Sequence, residues 1–211
     1  SRLQLVYSTT TAGGTTPQSL DRADPTAAVN FSAPTIVGTS FVGSYLSVAI
    51  ENDGNAGTPD PIHVAAHDSG GADLSYLRFD DFTDTTPEVV TVDANLSVGI
   101  WTDIAVDNGT PYIGYYNNSQ TGTADSVKVA WFLGDAATAV TPGFEYTDLN
   151  SDGEIGVTGD WEFLTVPAND QPQGGIIQFT RVNIGFDTSG NPVVGYLADD
   201  IEYARVLPEL P

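Results

Sequence analysis

The clearest chemical pattern in the chain is the segment DLNSDGEIG, which begins at Asp148. Side chains with carboxylate or amide oxygens recur at every second position, Asp148, Asn150 and Asp152, and Gly153 follows them. Calcium takes six to eight oxygen ligands, and a glycine at the sixth loop position allows the sharp turn that brings those ligands together. The pattern therefore predicts a calcium site in this segment.

Two further acidic residues belong to the predicted calcium site. Glu154 offers its backbone carbonyl from loop position 7, and Asp160 or Glu162 replaces the bidentate acid of position 12, where this chain has Gly159. The segment resembles the loops of EF-hand, dockerin and FG-GAP modules, although the sequence predicts no flanking helices. We expect the ion to rigidify a long insertion. The alternative is a solvated turn that binds no metal.

A second candidate is one polar position that recurs in three similar segments. Ser47, Asp103 and Asn183 each stand just before an apolar–small–apolar triplet. Equivalent residues on the innermost strands of a repeated fold can line an axial channel, where water or an ion binds. The alternative is that these side chains bond to neighbouring backbone groups.

Motifs for a catalytic reaction are not found in the sequence. The chain has no nucleophile elbow, phosphate loop, dinucleotide fingerprint or complete sialidase box. His63 and His67 are four residues apart, which in a strand separates them by roughly 13 Å, too far to share a metal ion. Pairs of acids carry no information in a chain with 28 of them. We therefore predict no catalytic residues.

The elements that must position these residues are short strands, which recur in the same order. Each unit begins with an apolar strand that ends in an acid, continues through a turn into a strand introduced by proline, and then adds a third and a fourth strand. The first strands are 46–51, 102–107 and 182–187, and the second strands are 61–68, 111–117 and 192–198. The third strands are 74–79, 127–132 and 201–206, and residues 3–8 also match this third strand. The fourth strands are 88–93, 161–166 and 26–31.

Four short antiparallel strands per unit, repeated along the chain, predict an all-β fold that is a β-propeller-like array of four-stranded antiparallel blades. Ala49, Ala105 or Gly185 lies in each first strand, where a small side chain lets innermost strands approach closely. The segments DTSGNPVVGY and IEYARV resemble the repeats of bacterial extracellular β-propeller proteins, which carry a strand–DxxGNP–strand hairpin and an L-x-Y-A strand. The alternative fold is a β-sandwich.

The predicted blades form one propeller-like domain or fragment that is incomplete. Their approximate bounds are 1–44 for a partial blade, 45–93, 101–166 with an insertion at 133–160, and 181–211. Propellers close with 4–8 blades, and this chain has only three first strands. We expect another protein chain, or a missing N-terminal segment, to complete the propeller.

The charge of the chain limits its partners and surroundings. Its 28 acidic and 6 basic residues give a formal charge of −22, which disfavours nucleic acid and anionic membrane surfaces. No apolar run reaches the roughly 20 residues of a membrane span. Asp-rich, Lys-poor surfaces suit saline or calcium-rich surroundings, so we expect a secreted or cell-surface protein. The chain has no cysteine, so disulfide bonds give no information about its compartment.

These observations favour a non-catalytic module for protein assembly or ligand binding, with a calcium-stabilised loop. Aromatic residues that could stack on glycans are Trp101, Tyr115, Tyr116 and Trp161, although most are expected to pack in the core. One alternative is a carbohydrate-active propeller enzyme, a glycoside hydrolase or lyase. Another is a subunit of a surface filament or layer.

Overall fold

A computed structural model describes backbone and side chains for residues 43–51, 60–81, 87, 89–95, 97–118, 126–132, 161–166 and 181–196. For residue 88, residue 197 and the strands at 3–11, 14–22, 35–36, 145–147 and 201–205, it describes the backbone. Every regular element in this described part is a β-strand. The predicted all-β class is therefore confirmed.

The strands are β1 Leu3–Thr11, β2 Gly14–Arg22, β3 Thr35–Ile36, β4 Gly43–Ile50, β5 Ile62–Asp68, β6 Asp73–Phe79, β7 Glu88–Asp93, β8 Ser97–Asp107, β9 Thr110–Asn118, β10 Ser126–Phe132, β11 Glu145–Thr147, β12 Trp161–Thr165, β13 Val182–Phe186, β14 Pro192–Leu197 and β15 Ile201–Arg205.

These strands form four antiparallel sheets that follow one another along the chain. The N-terminal sheet has the order β1-β2-β3, the first sheet β4-β5-β6-β7, the second sheet β11-β12-β10-β9-β8 and the third sheet β13-β14-β15. The first and third sheets, and β8 to β10 of the second, are simple meanders in which each strand pairs with the next. No strand pairing joins the described sheets into a closed ring.

Most predicted strands lie within two residues of the observed ones, and two differences stand out. Strand β8 begins at Ser97, five residues before the predicted segment, because the chain continues through a bulge. The strand that follows β1 spans 14–22, whereas the predicted strand at 26–31 lies outside the described residues. The blade bounds themselves stay predictions.

The core consists of apolar layers between successive sheets. One buried cluster joins residues of the first sheet, such as Leu74 and Tyr76, to Ile104, Ile113 and Trp161 of the second. Another joins the second sheet to the third through residues that include Tyr116, Trp131, Val182 and Ile184. Since both faces of the second sheet are covered, its strands are apolar at nearly every position.

A buried ion pair also connects the first sheet to the second. Lys128, the only lysine in the sequence, lies on β10 directly opposite Tyr115 on β9. Its Nζ donates to Oδ2 of Asp93 over 2.9 Å, and the Tyr115 hydroxyl donates to the same oxygen over 2.8 Å. Asp93 ends β7, so one buried carboxylate is held by two strands of the neighbouring sheet. Removal of one partner of such a pair typically costs about 3–5 kcal/mol.

The two hairpins with similar sequences use their polar residues to build turns. Asn108 and Gly109 connect β8 to β9 with φ angles of 48° and 82°, as a type I′ turn requires. In the turn before β14, Oδ1 of Asp187 accepts the backbone N–H groups of Ser189 and Asn191 at 2.8 and 3.0 Å. These acidic turns are structural.

A glycine permits close packing at the junction between the second and third sheets, and it lies on β9, outside the first strands for which small residues were predicted. Gly114 on β9 faces the third sheet, and a Cβ built there would lie 2.9 Å from Cγ1 of Val182. At Gly185 and Gly195 a built Cβ would meet no described atom within 4 Å. Close approach between described residues therefore explains Gly114 and does not explain Gly185.

We expect Gly114→Ala to lower the free energy of unfolding by about 1–3 kcal/mol, because the added methyl group overpacks the junction with Val182. Gly195→Ala is the matched control, at the equivalent place on the next sheet. It should leave stability unchanged or raise it by up to about 1 kcal/mol, since the unfolded chain loses entropy and no described atom lies within 4 Å of the added Cβ. Chemical denaturation of both variants measures the difference. Equal losses would show that Gly114 is not a packing glycine.

Candidate functional site

A cavity of about 320 Å³ lies where the first strands of the three sheets come together. Three equivalent tripeptides line the cavity. One lies on β4, one lies on β8, and the third consists of the residue before β13 and the first two residues of β13. The lining residues are Tyr45, Leu46 and Ser47, then Trp101, Thr102 and Asp103, then Arg181, Val182 and Asn183. The cavity is therefore formed by equivalent positions of the repeat. The residue types at these positions differ from one strand to the next.

Two aromatic side chains form one wall of the cavity. Tyr45 is 40% exposed and Trp101 is half-buried, and their ring centroids are 4.7 Å apart with a 56° angle between the planes. Both residues have left-handed backbones, with φ of 52° and 55°, inside bulges of β4 and β8. For bulky residues this conformation costs roughly 1–3 kcal/mol and is concentrated at functional sites.

The polar floor of the cavity is a chain of hydrogen bonds between sheets. The Ser47 hydroxyl donates to Oδ1 of Asp103 over 2.7 Å and accepts the backbone N–H of Ile104 at 3.2 Å. Oδ2 of Asp103 accepts the N–H of Ile184 at 2.9 Å. One carboxylate thus links the first strands of all three sheets.

Two further polar side chains at the cavity, those of Arg181 and Asn183, face the solvent side, where a ligand would enter. Arg181 and Asn183 are exposed, and neither forms a side-chain hydrogen bond with another described residue. They supply hydrogen-bond donors, and Asn183 also supplies an acceptor. Among the lining residues Asp103 is the only carboxylate, and both of its oxygens are engaged. The described lining can bind a polar ligand and contains one carboxylate, whereas glycoside hydrolysis commonly requires two.

The structure brings together the three residues of the repeated polar position. Ser47, Asp103 and Asn183 line one cavity, and the first two also bond to backbone N–H groups of the next sheet. The predicted water- or ion-binding channel stays a prediction. The predicted calcium ligands Asp148, Asn150, Asp152, Glu154 and Asp160 lie outside the described residues. Within the described ranges no group of three His, Asp or Glu side chains could hold a metal ion.

The sequence did not predict Tyr45 or Arg181 at this site. It indicated Trp101 as an aromatic residue that could stack on glycans but did not predict its place beside the repeated polar position. Each lies two residues before the matched polar residue, so the shared offset was available as a signal. Their side chains differ in type, and the bulges of β4 and β8 that contain Tyr45 and Trp101 leave no mark in the sequence. The other aromatic candidates, Tyr115, Tyr116 and Trp161, are buried in the core, which agrees with the expectation for most of them.

A buried histidine in the first sheet has a structural environment. Nδ1 of His63 lies 2.7 Å from the Tyr76 hydroxyl, and Nε2 lies 3.5 Å from Oε2 of Glu51. Burial lowers the pKa of His63, and the nearby Glu51 carboxylate opposes this effect only in part. His67 contacts the Val98 carbonyl instead, over 2.6 Å. The two histidines therefore serve separate contacts.

Comparison with known proteins does not assign a family to this chain. No protein-family model matches it, and no curated protein shows significant sequence similarity. Among the described residues, no helix is long and apolar enough to cross a membrane.

We expect Asp103→Ala to lower the free energy of unfolding by about 1–3 kcal/mol, because the Ser47 hydroxyl and the Ile184 N–H both lose their acceptor. Asp103→Asn keeps one acceptor oxygen and should cost less. Denaturant unfolding of both variants measures which substitution lowers the free energy of unfolding more. If the alanine variant were as stable as the parent chain, the hydrogen-bond chain would contribute nothing to the junctions.

Proposed function

We propose that this protein is a non-catalytic, secreted or cell-surface propeller-like module that binds a glycan at the cavity built by its repeats. One observation carries the proposal: equivalent positions on the first strands of three successive sheets converge on one cavity and place two aromatic rings beside an arginine and an asparagine. Such a constellation is typical of recognition rather than of a reaction.

The chemistry of the cavity favours a sugar ligand. Aromatic rings pack against the apolar faces of sugar rings, while Arg181 and Asn183 offer hydrogen bonds to hydroxyl groups. A volume of about 320 Å³ lies at the lower end of the range for small-molecule sites, roughly 300–1,000 Å³, and suits one or two sugar units. The net charge of −22 disfavours polyanionic glycans, so the proposed ligand is neutral or carries few charges.

The engaged state of Asp103 supports binding over hydrolysis. Both oxygens of this carboxylate already accept hydrogen bonds from the protein, one from the Ser47 hydroxyl and one from the Ile184 N–H, so Asp103 serves to join the sheets. The carbohydrate-active enzyme stays the alternative, and its acids would have to come from loops outside the described residues.

The rest of the proposal concerns the insertion at 133–160. We propose that calcium bound by Asp148, Asn150, Asp152, Glu154 and Asp160 rigidifies this insertion, which connects β10 to β12. The D-x-N-x-D-G order and the acidic, lysine-poor composition support this assignment and a location outside the cell.

The glycan proposal is tested with a polysaccharide and oligosaccharide panel, assayed both for binding and for release of reducing ends. We expect binding without turnover. Tyr45→Gly should weaken binding at least about tenfold because the stacking surface is lost. The same change should alter stability little, since glycine removes the cost of the left-handed backbone.

Val89→Ala is the control, since Val89 is an exposed apolar residue on β7 and does not line the cavity. It should bind the panel as the parent chain does. Release of reducing ends would reject the non-catalytic assignment. Binding that survives Tyr45→Gly unchanged would reject the cavity as the site.

The calcium proposal is tested by calorimetric titration of the full chain with calcium. We expect one exothermic or endothermic site that is lost in Asp148→Ala and in Asp152→Ala, because each removes a ligand oxygen. Asp187→Ala is the matched control, since Asp187 lies in an acidic turn that is already filled by its own hydrogen bonds. Absence of a heat signal, or a signal unchanged in the loop variants, would refute the site.

A further inference from the structure

We propose that Lys128 and Asp93 form an intramolecular isopeptide bond, in which Nζ of the lysine is joined to Cγ of the aspartate. The two residues already form an ion pair at the junction between the first and second sheets, with 2.9 Å between Nζ and Oδ2. The proposed modification converts this contact between sheets into a covalent link. It does not depend on a glycan ligand or on calcium.

The identity of the buried cation is the first observation that points to a reaction. The chain has six residues of lysine or arginine, and Lys128 is the only lysine among them. An arginine would also pair with a buried carboxylate, and its planar guanidinium suits such a pair better than an ammonium group does. Only lysine has an amine that becomes a nucleophile once it loses a proton. The chain thus places its one lysine in the core, where it is 5% exposed, beside a carboxyl group.

The two atoms that would react are within reach of each other. Nζ of Lys128 lies 2.9 Å from Oδ2 of Asp93. One carbon–oxygen bond of roughly 1.2 Å separates Oδ2 from Cγ, so Nζ is at most about 4.1 Å from the carbon that it must attack. A rotation of the flexible lysine side chain brings this distance to the roughly 3–3.5 Å of a reactive contact. Because the sheets hold both groups in place, the reaction needs no encounter step.

The pair is enclosed by the apolar layer between the two sheets. The side chain of Asp93 is fully buried, and that of Lys128 is 6% exposed. The Phe163 ring centroid lies 5.1 Å from Nζ, and Leu74 is directly opposite Asp93 in the first sheet. Apolar surroundings disfavour charge, so they lower the cost of the proton transfer that turns ammonium and carboxylate into amine and carboxylic acid. Exclusion of water also protects the product from hydrolysis.

Two further hydrogen bonds hold the carboxyl group of Asp93 as the reaction requires. The Asn95 N–H donates to Oδ1 over 3.0 Å, and it stabilises the negative charge that develops on this oxygen when the amine adds to Cγ. The Tyr115 hydroxyl donates to Oδ2 over 2.8 Å, so it contacts the oxygen that must leave. Because Tyr115 is directly opposite Lys128 in the second sheet, its hydroxyl is placed to carry a proton from Nζ to Oδ2.

The reaction balances without any further reactant. One proton passes from the ammonium group to Oδ2, and the free amine attacks Cγ. The Tyr115 hydroxyl then donates its proton to Oδ2 and takes one from Nζ, the bond between Cγ and Oδ2 breaks, and Oδ2 leaves as water. Oδ1 becomes the carbonyl oxygen of the new amide, and Nζ keeps its last hydrogen. One carbon–nitrogen bond forms and one water molecule is released, with no oxidation or reduction.

The bond would join the two sheets at a second place. Asp103 connects the sheets through their first strands, whereas Asp93 ends β7, the last strand of the first sheet, and Lys128 lies on β10. The link closes a loop from residue 93 to residue 128 that contains the whole of β8 and β9. A cross-link over such a loop stabilises a fold mainly by restricting the unfolded chain. The chain has no cysteine, so a disulfide cannot serve this purpose.

The mass of the intact chain, purified in its folded form and then denatured, tests the proposal without any substitution. We expect the 22.2 kDa parent chain to be lighter than its sequence requires by one water molecule. Because Lys128 is the only lysine, a lysine-specific protease cuts the denatured, unreacted chain once, and it should leave the reacted chain whole. A parent chain that has its full sequence mass and is cut at Lys128 would overturn the proposal.

A substitution at the pair distinguishes this bond from other losses of water. Lys128→Arg keeps the cation and its hydrogen bonds but has no nucleophilic amine, so it should have the full mass of its own sequence. If this variant were also lighter by one water molecule, an aspartate elsewhere would have cyclised, and the proposal would be wrong. Tandem mass spectrometry of the digested parent chain should show one branched peptide that contains Asp93 and Lys128. A branch from Lys128 to any other acid would also reject the assignment.

The role of Tyr115 is tested by the rate at which the mass changes after denatured, unreacted chain from inclusion bodies is diluted into refolding buffer. Tyr115→Phe should slow the reaction at least about tenfold, because the proton can no longer pass through the hydroxyl. Tyr116→Phe is the matched control, since it removes a hydroxyl from the opposite face of β9 and should react at the parent rate. Circular dichroism checks that both variants fold. Equal rates in the two variants would contradict the proton transfer assigned to Tyr115.

Discussion

The first, second and third sheets depend on one carboxylate. Asp103 on β8 accepts a hydroxyl from the first sheet and a backbone N–H from the third, and its position in the chain repeats that of Ser47 and Asn183. A strand at the edge of a sheet has unpaired N–H groups that need acceptors. Here the preceding sheet supplies an acceptor to one N–H of β8 and one of β13 as side-chain oxygens, without pairing strands from different sheets. The stacking of these three sheets and the cavity between their first strands follow from this constraint.

The acidic residues of this chain have two roles. Some are structural: Asp103 joins sheets, Asp93 holds the only lysine of the sequence in the interior, and Asp187 forms a turn. Others contribute to a surface charge that governs which partners approach. Because Lys128 is buried, even fewer cations are left to offset that charge outside, which gives an exposed arginine at the cavity unusual weight in attracting a polar ligand.

Much of the fold could be predicted from the sequence, since strand patterns, the Asn-Gly turn and the repeated polar position are all local signals. Asn108 and Gly109 specify their hairpin directly. The part of the site formed by Ser47, Asp103 and Asn183 was found because the three occupy one place in the repeat. Tyr45 and Trp101 were not placed there, because bulges shift the registers of β4 and β8 just before the matched strands. Arg181 was not placed there because it lies just before β13 and differs in type from its two counterparts. Such shifts arise from packing between sheets, which a single strand does not encode.

The central claim is that side-chain oxygens of Ser47 and Asp103 each accept a backbone N–H from the next sheet. Amide hydrogen exchange of Ile104 and Ile184, followed by NMR, tests it most directly. The account predicts that both amides are protected in the parent chain, that Ser47→Ala selectively speeds exchange at Ile104, and that Asp103→Ala does so at Ile184. If both amides exchanged like exposed groups, or if neither variant changed its own partner, the account would be contradicted.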